Sequence, residues 1–190
     1  MPRKIADIRR EEIVDALRTV IAREGLNVPS YDTIATEGGM SRQLVRHYYR
    51  IPEDIAADLG GTLSTELRRL VSAAYEAKPD EPKTNVLLDT LFSWNEADVG
   101  EPSERNALEC ALHAMGQRSG KVRDNFAEHL DLMRRMVSDA MAADGNTAKA
   151  NGQVADAVVA LMMARNLPGA DVSGLRAAAG SLVMQSANGG

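Results

Sequence analysis

The sequence predicts an all-α fold of about nine helices, and three observations carry the prediction. Apolar residues recur at helical spacing in nearly every segment, as in Ile13, Leu17, Val20 and Ile21. No stretch shows the two-residue alternation of a convincing strand. Between the periodic segments lie short breaks rich in Gly, Pro and Ser, the residues that start and stop helices.

Taken in order, the first helix runs from Ala6 to Glu24; Gly25 ends it, and Leu26 supplies the apolar contact of a Schellman cap. Ser30 caps a short second helix that turns Ile34 and Ala35 inward. Gly38 and Gly39 end it tightly, and Ser41 caps a short third helix. Pro52 opens the fourth helix, with Glu53 and Asp54 suiting its positive end. It continues to Ala77, interrupted and bent at Gly60-Gly61. Residues 78–82, KPDEP, are a clear break. A fifth helix, Thr84 to Ala97, has Leu87, Leu88, Leu91 and Phe92 as its apolar side; Gly100 and Pro102 separate it from a sixth, Glu104 to Gln117. The seventh, Lys121 to Ala143, sets Val122, Phe126, Leu130, Met133 and Val137 against a charged face. The eighth, Gln153 to Arg165, is apolar around most of its circumference, and the ninth starts at Asp171 or Ser173. The last three residues read as a loose tail.

Residues 30–54 carry the sharpest functional signal. Two short helices joined by a glycine turn form a helix-turn-helix, a unit that lays its second helix in the major groove of DNA. Along that second helix Met40, Val45, Tyr49 and in part Leu44 form the packing side. Arg42, Gln43, Arg46 and His47 share the other, and all four can hydrogen-bond to base edges or phosphates. Alone, such a face is better read as the solvated side of a core helix. The helix and turn before it fix how it is presented and favour DNA.

These residues also carry a resemblance. Ile34-Ala35, Gly39-Met40-Ser41 and His47-Tyr48-Tyr49, followed by Glu53 and Ile55, match in order and spacing the DNA-binding domain of the TetR family of bacterial transcriptional regulators. The resemblance covers about the first third of the chain. It implies that Gln43, Arg46 and His47 face bases, that the Tyr48 hydroxyl reaches a phosphate, and that Tyr49 is a buried aromatic. Ser41, Thr33 and Tyr31 are assigned to DNA with them, and Lys4, in the basic start of the chain, to an arm on the duplex. Two positions depart from the family. Arg46 stands where a tyrosine is common, which implies a different operator; Pro52 stands where a lysine commonly meets the DNA backbone.

Length and charge suit a small DNA-reading end on a larger body. The 190 residues allow either one domain or a small domain joined to a larger one. We divide them at residues 1–50, the helix-turn-helix domain, and 51–190, a helical domain for effector binding and dimerisation. The net charge of −5 argues against binding nucleic acid by bulk attraction. Its distribution is uneven: residues 1–50 hold nine Lys/Arg against seven Asp/Glu, leaving the excess of negative charge to the body. Cys110, the only cysteine, excludes an internal disulfide. The N-terminus lacks the apolar core of a signal peptide, and the longest apolar run, Ala157 to Ala164, is too short for a bilayer. The expected location is the cytoplasm.

The resemblance implies that the body binds a small-molecule effector and that the last two helices pair across a homodimer. A core hairpin within one chain is the other way to bury so apolar a pair. Asn106, Cys110, His113 and Gln117 form a polar row on the sixth helix. Cys110 and His113, with Trp94, Asn95, Phe126, Met133 and Met162, are the candidate effector-binding residues. No catalytic residue, metal ligand or cofactor is assigned. Cys110 and His113 lie mid-helix without an evident oxyanion site, and neither a CxxC nor an HExxH occurs. The expected function is sequence-specific DNA binding by a transcriptional regulator, in all likeness to the family a repressor, on a near-palindromic double-stranded operator under effector control. A helix-turn-helix protein without an effector and an all-α enzyme with an unmarked site are the alternatives.

Overall fold

The computed structural model describes residues 4–25, 29–93, 104–146, 148–167 and 169–188. Among these residues the regular structure is helical: α1 (Ile5–Glu24), α2 (Tyr31–Glu37), α3 (Arg42–Tyr48), α4 (Pro52–Ala77), α5 (Lys83–Ser93), α6 (Glu104–Gly116), α7 (Gly120–Ala143), α8 (Ala148–Ala164) and α9 (Val172–Asn188). The expected order and number of helices hold there. Leu26, Trp94, Asn95, Gly100, Pro102 and the final two glycines lie outside the described residues, as does the expected continuation of α5.

Two expected boundaries move. α8 begins at Ala148, five residues ahead of Gln153, and runs through Asn151-Gly152, with Asn151 buried. α4 runs unbroken through Gly60-Gly61. A Cβ on Gly60 would lie 2.4 Å from the Asn125 side-chain oxygen, so this glycine admits the close approach of α7 and does not interrupt α4.

The chain forms two compact units, one of Met1–Leu63 with Glu104–Ala127 and one of Ser64–Ser103 with Glu128–Gly190. The unit containing the helix-turn-helix thus extends past residue 50 and takes in α6 and the start of α7. Its core includes Ile13, Leu17, Ile21, Ile34, Val45, Ile55, Leu59, Leu108 and Leu112, all essentially inaccessible. Burying side chains of this size is the main stabilising term, each worth about 1.5–3 kcal/mol. Arg18 of α1 and Glu104 at the head of α6 add an ion pair.

In the second unit, Leu67, Leu87, Leu88, Leu91, Phe92, Met133, Val137, Val158, Val159 and Met162 belong to one apolar cluster. α5 lies in it and is clamped by distant side chains. Asp144 accepts from the N–H groups of Lys83 and Thr84, both at 2.8 Å, and so caps the amino end of α5. Near the other end, the buried Arg165 donates to the Leu91 carbonyl. Arg176 of α9 holds Asp89 at 2.7 Å. Burial works to raise the Asp144 pKa, but the Thr84 side chain and the two backbone N–H groups outweigh it and hold the carboxyl below its usual range.

Candidate nucleic-acid interface

The helix-turn-helix is assembled by contacts three to five residues long. The Thr33 N–H donates to Ser30 Oγ at 3.2 Å, which starts α2. The Leu44 N–H donates to Ser41 Oγ at 3.1 Å, which starts α3. Each serine satisfies one of the N–H groups that a helix start leaves without a partner. Between the caps, Gly38, Gly39 and Met40 donate to the carbonyls of Ile34, Thr36 and Ala35. Gly39 has φ +59°, a left-handed conformation that side chains with a Cβ resist.

Packing then fixes the roll of α3. Val45 is fully buried and Leu44 and Met40 are half-buried, the inward side expected from the sequence. Tyr49, just past α3, is 3% exposed and donates to Asp58 at 2.7 Å. The Arg10 guanidinium lies 5.1 Å from the centre of its ring and 3.6 Å from Asp58. Burial first, and then the bond to Asp58, push the Tyr49 phenol pKa far up, so it remains a donor. The Tyr31 hydroxyl donates to the Tyr49 carbonyl at 3.0 Å. Tyr31 therefore uses its one hydrogen to brace the end of α3. Its pKa is raised chiefly by burial, against a lowering by Arg46.

With that side anchored, Arg42, Gln43, Arg46 and His47 are all exposed. Arg42 reaches back to Asp32 of α2 at 3.0 Å, a pair exposed on both sides. The rings of His47 and Tyr48 meet edge to face, centroids 5.1 Å apart. Ser41 is exposed, while Thr33 and Tyr48 are partly so. Lys4 is exposed in extended backbone at the head of α1. The result is a short, doubly capped helix presenting two guanidiniums, an amide and an imidazole outward. Such a set suits guanine, adenine and phosphate acceptors.

The candidate effector residues divide between the two units. In the first, His113 of α6 and Phe126 of α7 come together, ring centroids 6.1 Å apart, His113 being exposed and Phe126 buried. Cys110 is half-buried on α6. In the second, Met133 and Met162 are fully buried in the same apolar cluster. The sequence reading missed Arg105 and Glu109, which are buried on α6 at a spacing of four; His129 is buried too, with Nδ1 2.8 Å from Ser64 Oγ. The opposite charges of Arg105 and Glu109 on one helix row were the available signal. Among the described residues no group of three or more His, Cys, Asp or Glu could hold a metal ion, and no helix is long and apolar enough to cross a membrane.

No family model matches the chain. Among curated proteins it is 32% identical over 100 residues to the HTH-type transcriptional regulator BetI of Vibrio atlanticus, covering 48% of each chain. It is 31% identical over 138 residues to BetI of Agrobacterium fabrum, covering 72% of this chain and 63% of that one. The match to the Vibrio relative thus spans about half of its length. Among solved structures, a TetR-family member from Streptomyces coelicolor superposes with a TM-score of 0.69 at 21% identity, covering 92% of this chain and 97% of that one. A transcriptional regulator from Saccharomonospora viridis, solved in complex with choline, gives 0.69 at 15% identity over 94% and 96%. Fold likeness along nearly the whole chain shows that it has the fold of TetR-family regulators, and its sequence is similar to that of the BetI regulators over about half to 63% of their length.

Proposed function

We propose that the protein is a sequence-specific DNA-binding transcriptional regulator, a repressor whose operator affinity is set by a small-molecule effector. One observation carries the reading: α3 is capped at Ser41, anchored through Val45 and Tyr49, and turns Arg42, Gln43, Arg46 and His47 to solvent. A helix held this way enters a major groove amino end first, and its side chains meet base edges. Tyr48, Ser41, Thr33 and Lys4 are the phosphate-facing neighbours in this reading. Tyr31 acts through its brace on Tyr49.

The active species in this reading is a homodimer formed through α8 and α9. Exposed Met184 on α9 and Leu167 just beyond α8 support it, at 64% and 65% accessibility. Large apolar side chains that stay outside one subunit favour burial against a second. Two α3 helices would then enter successive major grooves roughly 34–36 Å apart. The BetI relatives bear the name of transcriptional regulators, and the Saccharomonospora viridis neighbour holds choline, which supports an effector site here too. Cys110, His113 and Phe126, all in the first unit, are its proposed contacts. The effector releases DNA only as far as its affinities for the two states differ.

The test is selection of bound fragments from randomised and genomic duplexes, followed by a screen for compounds that elute them. A near-palindromic consensus supports the reading. Failure to enrich any duplex overturns it.

A further inference from the structure

The outward face of α3 carries two arginines, and they are not held alike. Arg42 Nη1 donates to Asp32 Oδ2 of α2 at 3.0 Å. Among the described residues, Arg46, four positions on, has no such carboxylate partner. Folding stability does not account for the pair. Its side chains are 55% and 64% exposed, and ion pairs of that kind contribute little. Arg42 is also the first residue of α3, where a cation meets the positive end of the helix and is disfavoured. Asp32, in the first turn of α2, is well placed at the positive end of its own helix. The pair therefore joins a favourably seated carboxylate to a guanidinium that α3 itself does not favour.

In the proposed regulator α3 enters the groove amino end first, so Arg42 is its leading side chain. A guanidinium there can take a base edge or a phosphate. Asp32 decides between them. A phosphate brought to Arg42 would also meet the Asp32 carboxylate and be repelled, whereas the acceptors of a base edge are neutral. With Nη1 held, the parallel N–H groups of Nε and Nη2 remain for a second partner. Guanine offers two acceptors side by side, O6 and N7; adenine replaces one of them with a donor. A guanidinium already held also loses less side-chain freedom on docking.

On the regulator reading above, we infer that Asp32 is a positioning residue for specificity: it turns Arg42 away from phosphate and onto the O6/N7 edge of a guanine in each half-site. Arg42 and Arg46 then read separate positions, one with a carboxylate behind it and one without.

The experiment selects bound duplexes from one randomised library with the full chain as wild type, Asp32→Ala, Arg42→Ala and the double variant. Affinities are then measured on the preferred duplex and on an unrelated one. Both positions are exposed, so the variants should fold as the wild type does. Arg42→Ala is expected to relax guanine at one position of each half-site, distinct from the position that Arg46→Ala relaxes. Asp32→Ala should relax guanine at the Arg42 position by about threefold to fivefold, the worth of one exposed ion pair. Its affinity for the unrelated duplex should stay level or rise, because a carboxylate facing phosphates has gone. The double variant should be no more relaxed there than Arg42→Ala alone. The slope of log affinity against log salt should be the same in Arg42→Ala as in the wild type, since no phosphate contact is lost. Full guanine preference in Asp32→Ala overturns the inference. So does an equal loss on every duplex, which is what a merely structural Asp32 would give, or a salt slope reduced by about one in Arg42→Ala. Any of these in a protein whose wild type yields a consensus removes this inference alone; a wild type that enriches no duplex removes the regulator reading with it.

Discussion

α3 and α5 are both short helices, yet they are held in opposite ways. The caps of α2 and α3 come from Ser30 and Ser41, each three residues from the N–H it accepts. The carboxylate that caps α5 comes from Asp144, 61 residues beyond Lys83, and the guanidinium on Leu91 comes from Arg165, 74 residues beyond. The start of α3 is therefore encoded within its own segment, while its roll is set by Val45 and by Tyr49 against Asp58 and Arg10. α5 depends on the ends of α7 and α8, so whatever moves those ends also loosens α5. The contrast suits the proposed regulator, in which a locally capped α3 would meet DNA and α5 is tied at long range within its own unit.

Substitutions separate the two kinds of support. The largest effect is expected at the turn before α3. Gly39→Ala meets no atom within 4 Å but must adopt φ +59°, so its cost is backbone strain alone. It should destabilise the protein by about 1–2 kcal/mol, read by chemical denaturation. A variant as stable as the wild type would mean that the turn is less constrained than its geometry.

Next comes the distant cap of α5. Asp144→Asn keeps the shape and loses the charge; it should cost about 0.5–1 kcal/mol near neutral pH, at the low end for a cap because Asp144 is exposed to solvent. The sign of the pH dependence follows from its lowered pKa. The ionised form is favoured by the folded state, so the stabilisation is full above the unfolded value of about 3.9 and disappears as pH falls through the folded value. The gap between wild type and variant should close in acid melts. A gap that widens in acid would reverse the assignment. The smallest effect is expected at Arg42→Ala. Its pair with Asp32 is exposed on both sides and should contribute only a few tenths of a kcal/mol to stability. Any larger change would show that Arg42 braces α2 against α3.

The same contrast explains what was legible. Ser30, Gly39, Ser41 and Pro52 announce their structures within a few residues, so the helix-turn-helix and the start of α4 were read closely. The exposed face of α3 followed from helical spacing once Val45 and Tyr49 were taken as inward. The clamp on α5 could not be read, because no local pattern pairs Asp144 with Thr84 or Arg176 with Asp89. Gly60 was misread for a related reason: glycine in a helix signals either a bend or a close neighbour, and only packing against Asn125 tells which. On α6 the polar row through His113 drew attention, whereas the buried charges are Arg105 and Glu109. A buried ionic side chain looks in sequence like a solvated one.

The central claim is that the outward side of α3 reads base pairs, and the sharpest measurement compares Arg46→Ala with the wild type on one randomised duplex library. Arg46 is exposed and its loss leaves the α3 anchors at Val45 and Tyr49 intact. The account predicts a loss of about 1–3 kcal/mol on the preferred duplex, with base preference relaxed at a single position of each half-site. An unchanged preference at every position, with affinity either retained or lowered equally for all sequences, would contradict it.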